Sequence, residues 1–333
     1  PSTNLTNQNF VFVDATRGDY HLASHSPGVN QGTDLSADPN LTVGDDIDGQ
    51  VRPIGSTYDM GADEASIQIF YSVGTFAGNL ETGTSTLTIT NNVVTFNNPQ
   101  KDNVGVGDVI NYGANLSCSI VGRISSREYT IRSLTGSGHS NVGSATTVNY
   151  IKRAFNALAT AEDHADDTGY LGASDLVAGG YQLNLVCYAD GDDTATIPGY
   201  SMGIYVYGWT TGPANYIRIY TPVGPSEVGR SQRHTGIAGT GYVYKPSKAA
   251  AAIDYSTILI YVCEEYVRIE GIEIDGSSVT NAGILYGLYG NTDNYMASDL
   301  RFESLIVHAL TTDTDDNDGN GNVYVYGISG RDG

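Results

Sequence analysis

A pattern of nine residues recurs 33 positions further along this chain, and this repeat limits the fold more than any other feature. Segments 267–275 (VRIEGIEID) and 300–308 (LRFESLIVH) are apolar at the same first, third, sixth and eighth places. Residues 217–219 form a partial third copy. A unit this short cannot bury its apolar face alone, so such units stack on one another. The repeat therefore predicts a solenoid.

Stacking the two copies places equivalent residues about 4.8 Å apart. The predicted apolar ladder pairs are Ile269 with Phe302, Ile272 with Leu305, and Ile274 with Val307. Arg268 then lies beside Arg301, and Glu270 beside Glu303. Because stacked like charges repel one another, we expect arginine and glutamate to pair across the ladder on the outer face.

A second family of strands alternates with the first. Residues 204–208 (IYVYG) are repeated as 323–327 (VYVYG), and 283–289 is a looser member. Loops rich in glycine, asparagine and aspartate separate the two families. The chain also contains 41 glycines and 24 tyrosines, a bias typical of short strands and tight turns. We therefore predict an all-β protein.

Two further regions interrupt this pattern. Residues 147–163 carry a helical period through Val148, Ile151, Phe155 and Leu158, with Thr146 or Thr147 as N-cap. Residues 66–145 hold several short strands, two of which flank Asn91-Asn92, a turn pair that tolerates positive φ. The second region is predicted to be a small β-barrel or β-sandwich.

The charge of the chain excludes some partners. Its 37 acidic and 16 basic side chains give a net charge of −21. Such a surface repels phosphate backbones and anionic lipids, so we expect neither nucleic-acid binding nor membrane insertion. The chain opens Pro1-Ser2-Thr3 without a signal peptide, which is typical of a mature or excised piece. Its three cysteines have no zinc-binding spacing.

The two ends of the chain carry a resemblance to a known superfamily. A helix followed by residues 181–186 is similar to an N-terminal cap helix and first coil. The segments that are similar to the closing strand, Ser-Pro turn and Asp-Gly…Arg-Pro loop of secreted bacterial proteins are 10–14, 18–22, 26–32, 46–53 and 59–64. In these features the chain resembles the right-handed parallel β-helix superfamily, which includes pectate lyases, polygalacturonases and tailspikes.

The resemblance implies a domain order and a general function. It divides the chain into a closing segment at 1–65, a small all-β domain at 66–145, and a cap helix with parallel β-helix coils at 146–333. The closing segment comes first and no cap follows the last coil, so we expect either that the chain is a window on a longer tandem protein or that copies join end to end. The implied protein is an acidic, secreted, cell-surface β-solenoid, structural or adhesive, and a building block of a head-to-tail filament. The alternative is a carbohydrate-active enzyme, a lyase or glycoside hydrolase, acting on acidic polysaccharide.

One loop resembles a calcium site. Asp316, Asp318, Asn320 and Gly321 match D-x-D-x-N-G, a spacing that gathers oxygen ligands around Ca²⁺. The twelfth position is Gly327, so the usual bidentate glutamate is missing. A solvated acidic turn between coils is the alternative interpretation.

Catalytic motifs of the superfamily are incomplete. Asn291-Thr292-Asp293 and Asp315-Asp316 are similar to two polygalacturonase motifs, but no matching histidine or lysine motif follows. A pectate-lyase site needs arginine and acidic groups on one sheet. The residues that would supply such a face are Arg268, Arg301, Glu270, Glu273, Asp275 and Glu303. Charged groups on an outer face usually serve solvation, so we assign no catalytic residue.

Tyrosines mark a further candidate surface. Tyr205, Tyr207, Tyr324 and Tyr326, with Trp209 nearby, are predicted to form a stripe that either packs on itself or binds sugar rings. Asn-x-Ser/Thr sequons at Asn4, Asn40 and Asn115 permit glycosylation where the source has that machinery.

Overall fold

A computed structural model describes residues 10–15, 19–22, 26, 28–29, 31–35, 38, 44–47, 52–54, 58–197, 202–248, 254–279, 282–291, 299–311 and 324–331. The strands within these residues are β1 (Phe12–Asp14), β2 (Asp19–Leu22), β3 (Ile67–Val73), β4 (Thr86–Thr90), β5 (Val93–Phe96), β6 (Val109–Tyr112), β7 (Leu116–Arg123), β8 (Glu128–Arg132), β9 (Val142–Lys152), β10 (Tyr181–Cys187), β11 (Asp192–Asp193), β12 (Thr196–Ile197), β13 (Met202–Val206), β14 (Ile217–Tyr220), β15 (Val243–Tyr244), β16 (Ser247–Lys248), β17 (Asp254–Val262), β18 (Tyr266–Glu270), β19 (Glu273–Asp275), β20 (Ala282–Asn291), β21 (Asp299–Glu303), β22 (Ile306–His308) and β23 (Tyr324–Arg331). Two short helices accompany them, α1 (Leu158–His164) and α2 (Leu176–Gly179). The predicted all-β class is confirmed.

Three parallel sheets make up the larger part of the fold. The first sheet has the order β21-β18-β14-β10-β3, the second β11-β15-β19-β22, and the third β13-β17-β20-β23. The chain visits them in the same sequence on each pass, so that β18, β19 and β20 are followed by β21, β22 and β23. Consecutive passes therefore add one strand to each of the three sheets.

The register of these sheets agrees with the repeat. Ile269 pairs with Phe302 and Ile274 with Val307, as predicted. The amide of Ile306 donates to the carbonyl of Ile272 at 3.2 Å. The strands of successive passes, which we call rungs, therefore keep the same alignment here. The partial third copy pairs in register too, with Ile219 opposite Ile269.

The side chains that point between the sheets form one continuous core. On β18 the buried positions alternate with half-buried ones, as expected of a strand with one face inward. Ile219 and Ile269, on successive rungs of the first sheet, are fully buried, and so are Ile260 and Leu288 of the third sheet. Aliphatic ladders thus fill the space between the three sheets.

The predicted small barrel is present as a closed antiparallel barrel. Its strand order is β4-β5-β8-β7-β6-β9, and it has its own core, separate from that of the parallel sheets. Asn91 and Asn92, at φ 52° and 61°, form the turn between β4 and β5, as their sequence predicts. The strand β3, although it falls in the segment predicted as the small domain, pairs in parallel with β10.

The predicted helix over 147–163 is wrong in its first half. Residues up to Lys152 belong to β9, which closes the barrel by pairing with β4 and β6, and Val148 and Ile151 are buried in the barrel core. The hydrogen bonds that close the barrel favour a strand in this segment more than the helical spacing of its apolar residues favours a helix. The helix α1 is only seven residues long, and its N-cap is Ala157 without a side-chain hydrogen bond, not Thr146 or Thr147.

A buried ion network fastens the barrel to the first sheet. Arg153 follows β9, and its guanidinium Nε and Nη2 donate to Asp190 at 2.7 and 3.0 Å. Its Nη1 donates to Asp108 at 2.7 Å, and the group stacks 3.5 Å from the ring centroid of Tyr188. Burial alone lowers the pKa of Arg153, but the two carboxylates outweigh burial and raise that pKa above its ordinary value. Arg153 therefore stays charged at every ordinary pH.

The described residues before 66 are held by a second arginine. The Arg52 Nε donates to Glu64 at 2.8 Å, and Nη2 donates to the carbonyl of Asp59 at 2.9 Å. The neighbouring carboxylate of Asp46 accepts the amide of Glu64. Arg52 thus forms a buried ion pair with Glu64. The closing role of 1–65 stays a prediction.

Candidate functional site

The predicted calcium ligands Asp316, Asp318 and Asn320 lie outside the described residues. Within the part of the chain that the structure describes, no three histidine, cysteine, aspartate or glutamate side chains are grouped closely enough to hold a metal ion. No described helix is both long and apolar enough to cross a membrane.

The polygalacturonase-like motifs can be placed only in part. Thr292, Asp293 and the Asp315-Asp316 pair are outside the described residues. Asn291 ends β20, and its Nδ2 donates to the hydroxyl of Tyr261 at 3.0 Å.

The six charged residues of the predicted pectate-lyase face are divided between two sheets. Arg268 and Arg301 are neighbours on the first sheet, whereas Glu273 and Asp275 are on β19 of the second. Glu273 pairs with His308 at 2.7 Å, and Asp275 with Lys245 at 2.9 Å. These carboxylates therefore do not share one centre with the arginines.

On the first sheet one arginine pairs with a glutamate across the ladder, but it is Arg218 and not the expected Arg268 or Arg301. Arg218 donates from Nε and Nη2 to both carboxylate oxygens of Glu270, on the next rung, at 2.9 and 2.7 Å. Arg268 stacks 3.7 Å from the ring centroid of Tyr216, and Arg301 pairs with Asp299 at 2.6 Å. Ion pairs with carboxylates and contact with a tyrosine ring therefore offset the repulsion between the stacked arginines.

The third sheet carries on its outer face a row of tyrosines in ring contact, stacked except for one tilted pair, which we call the tyrosine ridge. Its members, in order of ring contact, are Tyr207, Tyr205, Tyr261, Tyr289, Tyr286, Tyr326 and Tyr324. Sequence reasoning found the two outer pairs and missed the three central rings. Those three lie in β17 and β20, whose alternation is less regular than that of 204–208.

Ring geometry determines what the tyrosine ridge can bind. Tyr205 lies parallel to Tyr207 at 5.0 Å between centroids (2° between planes) and close to parallel with Tyr261 at 5.2 Å (11°). The faces of the inner rings are therefore used in contacts with one another. The ring most open to a flat ligand is Tyr207, which is 60% exposed. Burial raises the pKa of Tyr205 to about 12, so its hydroxyl remains a hydrogen-bond donor at neutral pH.

Two carboxylates, the half-buried Glu162 and the buried Glu264, adjoin the end of the tyrosine ridge at Tyr207. Glu162 of α1 accepts a hydrogen bond from Trp209 Nε1 at 3.1 Å and one from the Tyr207 amide at 3.3 Å. Glu264 accepts the Trp209 amide at 2.9 Å. Burial raises the pKa of Glu162 to about 7, although these hydrogen bonds lower it, and the nearby charges of Asp163 and Asp166 raise it further. No motif pointed to this carboxyl group, because its partners come from a distant strand.

Glu162 gives a pH prediction. Its folded-state pKa of about 7 exceeds the ordinary 4.5, so its contribution to stability is complete below pH 4.5 and is lost as the pH rises through 7. Trp209 is the one tryptophan of the chain, so its emission should titrate with a midpoint near pH 7. Glu162→Gln should abolish that midpoint, whereas Asp163→Asn should keep a titration with its midpoint slightly lower, because the charge of Asp163 raises the pKa of Glu162. An unchanged midpoint in Glu162→Gln would assign the titration to another group.

At the far end of the three sheets the last described strands are β21, β22 and β23. Within the described residues nothing pairs with the outer edges of β21, β22 and β23. On β23, Val325 and Ile328 are 46% and 51% exposed, yet their register partners on β20, Leu285 and Leu288, are fully buried. Positions that are core on one rung are thus solvent-facing on the next.

The opposite end of the first sheet is covered. Phe155 bridges Val73 of β3, and Ser72 donates its amide to the carbonyl of Gly107 in the barrel. Tyr71 of the same strand is fully buried and packs edge-on against Phe155 at 5.8 Å. The two ends of the stack therefore differ in chemistry.

Comparison of the chain with protein-family models, with curated proteins and with solved structures found no match.

Proposed function

We propose that the three parallel sheets are the faces of one right-handed parallel β-helix. The support is the repeated visiting order of the sheets together with the constant register of the rungs. Right-handedness follows from the rule that parallel strands of one sheet are almost always joined by right-handed crossovers. Each pass through the sheets is then one coil.

On this fold the chain serves as a non-catalytic structural and adhesive unit of an extracellular filament. The observation that carries the proposal is the open end at β23, where Val325 and Ile328 face solvent at positions that are core one rung earlier. Full burial of an exposed aliphatic side chain contributes about 1.5–3 kcal/mol, and because these two are about half exposed, completing their burial contributes about half of that each.

Lengthwise growth brings the open end of one copy against the covered end of the next. The barrel and Phe155 then supply side-chain contacts and no free strand edge, so the joint is heterologous and does not close on itself. The tyrosine ridge runs across successive coils, and in such a filament it would present tyrosine hydroxyls and the open face of Tyr207 to polysaccharide. Adhesion through this surface is part of the proposal.

Sedimentation velocity over a wide concentration range tests the assembly. The average mass should rise beyond two copies with concentration, and Ile328→Lys should hold the chain at 35.3 kDa. The matched control is Ile237→Lys, because Ile237 is also exposed but lies in a loop away from β23. A mass that stays at one or two copies, or equal behaviour of the two variants, contradicts the filament.

A carbohydrate-active enzyme is the second candidate function. It is favoured by a cavity of about 220 Å³ that Arg268, Arg301 and Tyr216 line together with Gln68 and Gln182. Assays for eliminase activity and for reducing sugars on pectin and alginate, with added Ca²⁺, separate the candidates. Turnover that Arg268→Gln abolishes would replace the structural proposal.

A further inference from the structure

A second and larger cavity, independent of the filament proposal, lies between the barrel and the first parallel sheet. Its volume is about 530 Å³, within the range of small-molecule sites. The outer faces of β7 and β8 form one wall, Phe70 of β3 and Val106 form another, and the loop at Ser226 closes one side. Much of the lining is apolar, including Phe70 and Val121.

Two arginines line this cavity without an acidic partner. Arg132 donates from Nη1 to the carbonyl of Gly136 at 3.0 Å, and Arg123 donates from Nη1 to the carbonyl of Pro225 at 3.3 Å. The Nε of Arg123 is buried and has no hydrogen-bond partner. Among the described residues neither guanidinium forms an ion pair, although the chain has 37 acidic side chains.

In the empty cavity the partly buried guanidiniums carry a free-energy cost, because they lose contact with water and gain no ion pair with the described residues. Burial lowers the pKa of Arg132, because removing a cation from water disfavours its charged form. The one carboxylate that lines the cavity, Glu227, is engaged by its own loop, where its Oε2 accepts the amides of Val223 and Gly224 at 3.0 and 3.3 Å. Two guanidiniums and one carboxylate therefore leave one positive charge in excess in the cavity lining.

We propose that this cavity binds a small organic carboxylate with an apolar body. A guanidinium matches the two oxygens of a carboxylate, and an anion at Arg132 would supply the missing counter-charge. The apolar lining at Phe70 and Val106 suits a hydrocarbon or aromatic body better than a fully polar anion. The unpaired Nε of Arg123 offers a second donor to a ligand that extends across the cavity.

Isothermal titration calorimetry with phenylacetate, and with its neutral counterpart phenylacetamide, tests the proposal. Phenylacetate should bind at least about tenfold more tightly than the amide, because the amide lacks the charge that Arg132 requires. Arg132→Gln should weaken phenylacetate binding about tenfold, and Arg123→Gln should weaken it by a smaller factor. Arg132→Lys should restore part of the loss, since it keeps the charge and loses the fork geometry.

The control is Arg127→Gln, which removes the same charge from an exposed site on the barrel outside the cavity. It should leave phenylacetate affinity within about twofold of the original, because exposed charges act weakly at a distance. Circular dichroism checks that each variant is folded. Equal affinity for acid and amide, no heat of binding, or the same response of Arg132→Gln and Arg127→Gln overturns the proposal.

Discussion

Replacement of Arg153 by alanine is expected to lower the free energy of unfolding by about 3–5 kcal/mol. The guanidinium links two buried carboxylates, Asp108 just before β6 and Asp190 after β10. Without it both carboxylates keep their desolvation cost and lose their counter-charge. Urea unfolding followed by circular dichroism measures the loss.

A triple variant that removes the arginine and both carboxylates distinguishes the effect of unbalanced charge from the effect of lost packing. Adding Asp108→Asn and Asp190→Asn to Arg153→Met should recover much of the lost stability, because no uncompensated buried charge remains. Arg127→Ala, which removes an exposed arginine of the same barrel, should change stability by less than about 1 kcal/mol. A loss as small as that for Arg153→Ala would mean that the network does not hold the barrel to the first sheet.

Truncation in the middle of the apolar ladder should cost more than truncation at its open end. Ile269→Ala is expected to cost about 2–5 kcal/mol, because Ile269 is fully buried between neighbouring rungs. Phe302→Ala removes a larger side chain from the next rung, but that position is only half-buried. In dilute solution it should therefore cost less than Ile269→Ala.

The same pair of variants responds to assembly. If a neighbouring copy covers the open end, the cost of Phe302→Ala rises with protein concentration while that of Ile269→Ala stays constant. Thermal unfolding at several concentrations measures both. A cost for Phe302→Ala that equals that for Ile269→Ala in dilute solution would mean that the ladder does not end at β21.

The repeat predicted the parallel register well because no insertion separates equivalent positions in 267–275 and 300–308. The preceding rung was only partly recognised, since a long loop follows β14 and breaks the spacing between Ile219 and Ile269. The helix was overextended because Val148 and Ile151 satisfy a helical period as well as the core of a barrel that closes only in three dimensions.

The candidate sites were less predictable than the fold. The outer tyrosines of the ridge follow strict alternation, whereas Tyr286 and Tyr289 are three residues apart and both face outward, which alternation does not predict. The raised pKa of Glu162 and the uncompensated charge of Arg132 depend on which side chains surround them. Neither property has a signature in the local sequence.

X-ray fibre diffraction from aligned assemblies tests the central claim most directly. Coils stacked lengthwise place the strand spacing along the filament, so we predict a reflection at about 4.8 Å on the meridian, parallel to the fibre axis. A 4.8 Å reflection on the equator, or a preparation that yields only compact single-chain particles, would contradict a filament built from end-to-end β-helices.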